Sequence, residues 1–275
     1  MLSFQRTSLK ATKCSAFYRM AVTAQPFTSI SMSDYTPIPN KLNLYGNTRS
    51  QPTRSVIMLL RDADVDHVFH QVDNLAGEHK KPQLKKFLPA GLLPSIVTDS
   101  GVPIGEGAAI LQYLVDRYNL VDWTSANVVE RAQINFWLHW NHTNTRNGTM
   151  QILVPEILYP PPPEKAAAIL AKGQKTHTRT CTYLCKHFQA SGNKFLVNSK
   201  HPSIADLMIV TELDQLSHRG YNLFDYLPFL RIEQYIEDVR SAVRSYDETF
   251  QPVADKGAEV NRHMRVVDDN MSVCS

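Results

Sequence analysis

Apolar positions follow two regimes along this chain. Between residues 40 and 118, short alternating stretches mix with helical spacing; after Tyr118 only helical spacing remains. Leu42-Asn43-Leu44-Tyr45 alternates as a strand does, and residues 52–63 set Val56, Ile57, Leu59 and Leu60 on one helical face. Residues 67–72 alternate again, with Val68 and Val72 on one side. Two short apolar runs, 95–97 and 102–104, flank Asp99-Ser100-Gly101, which is a hairpin signal. Residues 106–118 then space Ile110, Leu111, Leu114 and Val115 as a helix. The order β-α-β, a loop or short helix, then β-β-α predicts a small α/β layer built on a mixed sheet.

The second half reads as helices alone. Residues 128–153 predict one long helix rich in aromatics (Phe136, Trp137, Trp140), ended by Pro155 and the prolines at 160–163. Residues 165–188, 203–216 and 230–243 predict three more. The chain thus divides into an extension (1–39), an α/β domain (40–119), an all-helical domain (126–250) and a flexible polar tail (255–275).

Composition changes this picture little. Hydrophobic residues make up 43% and charged residues 20%, a mixture able to bury a core, and no apolar run is long enough to span a bilayer. The formal charge of +3 comes from residues 1–33, where Arg6, Lys10, Lys13 and Arg19 stand without an acidic residue; the remainder carries −1. A near-neutral body gives no electrostatic reason to expect nucleic acid or a membrane surface. The Ser- and Thr-rich, acid-free first 33 residues have the composition of a mitochondrial transit peptide, or equally of a disordered tail. Cys14, Cys181, Cys185 and Cys274 are too few and scattered for a disulfide scaffold. Cys181 and Cys185, and likewise His139 and His142, share helical faces but lack further ligands at metal spacing, so packing and surface roles are expected and no metal.

Candidate chemistry sits where strands meet helices. Ser50-Gln51-Pro52-Thr53-Arg54 follows a strand and opens a helix, with Pro52 in the first turn; Ser50 reads as an N-cap or as a functional hydroxyl. Leu93-Pro94 heads a strand, where a cis bond or an edge position is tolerated. Glu106-Gly107-Ala108 opens another helix, whose N-terminus attracts a carboxylate while Glu106 can meet an ammonium.

In this setting residues 44–58 resemble the start of theta and delta class glutathione transferases, in which Ser-x-Pro-x-Arg holds the catalytic serine. Further matches follow in family order. Ala76-Gly77-Glu78-His79-Lys80-Lys81-Pro82 is similar to the loop whose histidine meets glutathione's glycyl end. Leu93-Pro94 matches the backbone contact and cis-proline, and Glu106 the γ-glutamyl contact. Ser203-Ile204-Ala205-Asp206-Leu207 matches an N-capping signature, and Tyr221-Asn222-Leu223-Phe224 with the following proline fits its neighbourhood. Arg146 follows Trp140 by six residues, as a theta-class active-site arginine follows its tryptophan.

The resemblance implies a glutathione transferase fold, with a thioredoxin-like β-α-β-α-β-β-α domain followed by an all-α domain. It also implies a detoxifying enzyme, a cytoplasmic homodimer or, through residues 1–33, a mitochondrial one. Ser50 would be catalytic, with Tyr45 the alternative hydroxyl. His79, Lys80, Leu93, Pro94, Glu106 and Gly107 would bind glutathione, a co-substrate rather than a cofactor. Trp140 and Arg146 would meet a small hydrophobic electrophile. The sequence departs from the family at Gly107, usually Ser or Thr, at Ala108, Arg in delta members, and at Leu88, usually Asn. Gly107 forgoes a hydroxyl contact, so glutathione binding is expected to be weak and to tighten in Gly107→Ser. Rival readings are a non-catalytic binding or assembly module and a specialised dehalogenase, isomerase or peroxidase on the same fold.

Overall fold

The computed structural model describes residues 35–157, 162–217 and 230–251. The first 33 residues, Cys14, the 221–224 stretch, the tail from 255 and Cys274 lie outside them.

Strand β1 (Leu42–Gly46) is central. It pairs in parallel with β2 (His67–Gln71) and antiparallel with β3 (Ser95–Val97), which pairs antiparallel with β4 (Pro103–Gly105), so the sheet order is β2-β1-β3-β4. The period-two alternation of β1 is realised as two buried faces. Leu42 and Leu44 enter the main core with helices α1 (Gln51–Asp62) and α2 (Gly107–Arg117), whereas Tyr45 joins Val72, Leu84, Leu88 and Val97 on the opposite side. Asn43 is buried among these apolar neighbours because its amide is fully used: it bonds Ile38 in both directions, the Lys41 carbonyl and His70 Nε2. These bonds, with that from Tyr45 to the Tyr35 carbonyl, tie residues 35–38 of the expected extension to the sheet.

Helices α1 and α2 stop in the same way. Asp64 and Asn119 take positive φ, and the amides of Val65 and Leu120 return to the carbonyls of Leu60 and Val115. Asp and Asn tolerate this left-handed turn better than most residues.

The helical half contains α3 (Val128–Thr143), α4 (Thr145–Ile157), α5 (Pro163–Ser191), α6 (Ile204–Ser217) and α7 (Leu230–Ala242). The long helix expected over 128–153 is in fact two. Asn144 breaks it, with φ −117° and ψ −83°, and turns both its backbone N–H and its side-chain Nδ2 onto the Trp140 carbonyl. An asparagine amide offers the backbone this local alternative to helix. The expected stop at Pro155 does not occur: the proline falls in the last turn of α4, where one missing donor does not end the helix. Close approach of α4 to α5 depends on Gly148, where an added Cβ would lie 3.1 Å from the His177 backbone. No helix among the described residues is long and apolar enough to cross a membrane.

Candidate active site

The sequence-selected residues converge at one end of the sheet. The carbonyl end of β1 runs into a tight turn in which Ser50 N–H donates to the Asn47 carbonyl at 2.8 Å. Ser50 then sits at the N-cap of α1 in extended conformation (φ −81°, ψ 123°), yet its hydroxyl makes no capping hydrogen bond. The structural role that serine usually takes at this position is therefore not the one Ser50 performs. No acidic residue lies in the first turn of α1, so nothing there opposes an anion.

Because β3 runs antiparallel to β1, with Ser95 opposite Tyr45, Leu93 and Pro94 lie beside the Ser50 turn. The Leu93–Pro94 bond is cis, Pro94 is buried, and among the described residues neither backbone group of Leu93 bonds another backbone group. Ser95 also faces Gly105, which brings Glu106 to the same rim. Glu106 is exposed, with a positive φ of 66°, and caps α2, whose first turn likewise lacks an acid. Its N-terminal amides are thus open to a carboxylate. His79 lies in a short 3-10 turn (Glu78–Lys80); its Nδ1 is buried without a partner among the described residues, while Lys80 is exposed.

Tyr45, the other candidate hydroxyl, is not available. It is fully buried, stacked against His70 at 4.4 Å, and its hydroxyl donates to the Tyr35 carbonyl at 2.7 Å.

Gly107 corrects an expectation. A Cβ here would fall 2.9 Å from Pro52 Cβ, with Met208 Sδ at 3.6 Å, so glycine is what lets α2 meet the first turn of α1. The Cβ of any residue other than glycine forces α2 and the first turn of α1, which follows Ser50, to move apart. Gly107→Ser is therefore expected to lower stability by about 1–3 kcal/mol, the usual cost of overpacking, and to weaken glutathione binding. Gly107→Ala should do the same, since the Cβ is the cause. Tighter calorimetric binding of glutathione by the serine variant would restore the original expectation.

On the helical side, Trp140 is half-buried, stacked on Tyr183 with centroids 5.4 Å apart and edge-on to Trp137. Arg146 is not a free cation: its Nη1 lies 2.6 Å from Glu212 Oε1, a carboxylate also bonded by Thr149. One turn after Arg146, Met150 Sδ accepts a hydrogen bond from Gln51 Nε2 at 3.3 Å, so α4 touches the residue following Ser50. Met150 carries no motif, and only its spacing of four from Arg146 hinted at it.

Cys181 and Cys185 are buried in the main core, as the packing reading expected. Burial pushes both thiols up and holds His177, 3.4 Å from Cys181, down at about 4. Neither cysteine is a thiolate at neutral pH. Among the described residues no three His, Cys, Asp or Glu gather as a metal site.

The glutathione S-transferase N-terminal domain model matches residues 44–122. The chain is 33% identical over 223 residues to glutathione S-transferase T1 of Arabidopsis thaliana, covering 77% of this chain and 88% of that one. Glutathione S-transferases T3 and T2 of the same plant are each 32% identical over 77% and 78% of this chain, which spans only 37% of their length. Among solved structures, the apo form of human glutathione-S-transferase T1-1 matches with a TM-score of 0.68 at 26% identity, over 78% of this chain and 89% of that one. With the thioredoxin-like sheet, the helical half and the converging site, these likenesses place the chain in the glutathione S-transferase family.

Proposed function

We propose that this protein binds glutathione at the rim formed by Ser50, His79, Leu93, Pro94, Glu106 and Gly107 and transfers its thiolate to small apolar electrophiles. The observation that carries the reading is the Ser50 hydroxyl, set at a helix N-terminus and not used as a cap. A cysteine-type thiol has a pKa near ~8.5, and lowering it by ~2 units requires about 2.7 kcal/mol of preference for the thiolate. A donated Ser50 hydrogen bond beside the α1 dipole is of the right kind and size. The thiol proton leaves to solvent. The sulfur lone pair then forms the C–S bond while the leaving group departs with its bonding pair. At the other end, the α2 amides would hold the γ-glutamyl carboxylate, with Glu106 facing the ammonium. The electrophile would lie toward α4, near Met150 and Trp140. Since Glu212 neutralises Arg146, that side suits uncharged substrates. Homodimerisation, a detoxifying role, and a cytoplasmic or mitochondrial location belong to the same proposal.

Ser50→Ala is expected to lower turnover at least roughly tenfold, about 1.4 kcal/mol of transition-state stabilisation, with the fold unchanged. The ultraviolet absorbance of bound thiolate, titrated against pH, should shift toward the free thiol value. Full activity in Ser50→Ala together with loss in Tyr45→Phe would show that the wrong hydroxyl has been chosen.

A further inference from the structure

The turn that carries Ser50 and the loop that carries His79 are joined by a chain of hydrogen bonds through Asn47, Arg49 and Asp73. Asn47, buried, donates through Nδ2 to the Val72 carbonyl at 3.0 Å. Its Oδ1 accepts from Arg49 N–H at 3.0 Å and Arg49 Nε at 3.2 Å. Arg49 Nη2 continues to Asp73 Oδ1 at 2.9 Å, and that same oxygen accepts the amides of Leu75 and Ala76 at 2.9 and 3.2 Å. Asp73 N–H in turn donates to the buried carboxylate of Glu78, adjacent to His79.

We infer that Arg49 and Asp73 are positioning residues, forming a strut that sets the Ser50 hydroxyl in register with the His79 loop. This inference rests on the proposed glutathione site, whose thiol end and glycyl end these two segments would hold. The physical reason is geometric. A tripeptide gripped at both ends gains its binding only if the two grips keep a constant separation. Asp73 is the node, because one carboxylate oxygen accepts from both Arg49 Nη2 and the two amides that start the loop. Burial raises its carboxyl, but the amides of Ala76 and Leu75 and the Arg49 guanidinium outweigh that and leave it below the usual carboxylate range. The aspartate is therefore charged throughout the neutral range.

Glutathione binding by calorimetry, steady-state kinetics and amide hydrogen exchange would be measured for wild type, Arg49→Met, Arg49→Lys, Asp73→Asn and the Arg49→Met/Asp73→Asn double variant. The pair is half-exposed, so its loss is expected to raise Kd and KM for glutathione about threefold to fivefold, with kcat changed less. Leu75 and Ala76 amides should exchange faster in Arg49→Met. Arg49→Lys should recover part of the affinity, and the double variant should be no worse than Arg49→Met alone. Unchanged Kd and unchanged exchange in Arg49→Met would overturn the strut. So would weakening by Arg49→Met but not by Asp73→Asn, since Arg49 would then meet the ligand directly. Failure of the wild type to bind glutathione would instead overturn the proposed function, and with it the strut's purpose, a result separate from either of these.

Discussion

Arg54→Met is expected to destabilise the chain by about 3–5 kcal/mol, because several buried acceptors lose their donor at once. Arg54 is wholly buried, and its guanidinium joins the two halves of the molecule. Nη1 donates to the carbonyls of Thr48 and Arg49, at 3.0 and 2.9 Å, and so grips the turn that carries Ser50. Nη2 donates to the Thr211 carbonyl at 3.2 Å and to Gln215 Oε1, both on α6. The guanidinium also lies 4.8 Å from the centre of the Phe250 ring. Methionine fills much of the volume but donates nothing, so buried acceptors lose their donor, each at about 1–3 kcal/mol. Relief from desolvating the cation offsets part of this. Arg54→Lys keeps the charge but not the planar fork, so it should fall between the two. Urea unfolding with an unchanged m-value reads the loss directly. If Arg54→Met unfolds at the wild-type midpoint, Arg54 does not brace the Ser50 turn against α6.

Asp206→Ala should cost about 2–4 kcal/mol, more than the ~0.5–2 kcal/mol of an ordinary cap. The Ser203–Asp206 spacing predicts a capping arrangement, and Ser203 does donate to Asp206 through both N–H and hydroxyl, at 2.7 and 2.8 Å. The carboxylate reaches further. It also accepts from Leu196 N–H at 2.9 Å and from the Tyr235 hydroxyl at 3.0 Å, and so holds the 195–203 loop and α7 to the start of α6. Burial pushes its carboxyl up, against the pull of these donors. Alanine leaves them buried and unpaired. Asp206→Asn keeps acceptor oxygen on one side and should lose less. A lower Tm with unchanged turnover per folded molecule at permissive temperature is the expected outcome; reduced turnover at an unchanged Tm would contradict it.

Local chemistry was legible in the chain itself. The alternation Leu42-Asn43-Leu44-Tyr45 dictated a strand with two faces, because successive side chains must point oppositely. Pro52 and the apolar spacing after it dictated the start and buried face of α1. The Ser203–Asp206 spacing likewise announced the start of α6. These outcomes depend on neighbours within a turn or a strand step, which sequence order brings together. What depended on distant partners could only be settled by the fold. The motif favours Ser50 but leaves Tyr45 as an alternative hydroxyl; packing removes Tyr45 by burying it and committing its O–H to a hydrogen bond with the Tyr35 carbonyl. Arg146 reads as a free active-site cation until α6 brings Glu212 beside it, 66 residues away. Gly107 reads as a missing hydroxyl until Pro52 occupies the space of its Cβ. The break at Asn144 was half-legible, since asparagine competes with helices, but the continuation through Pro155 was not. For Tyr45, Arg146 and Gly107 the deciding term is a tertiary contact, which periodicity and motif do not encode.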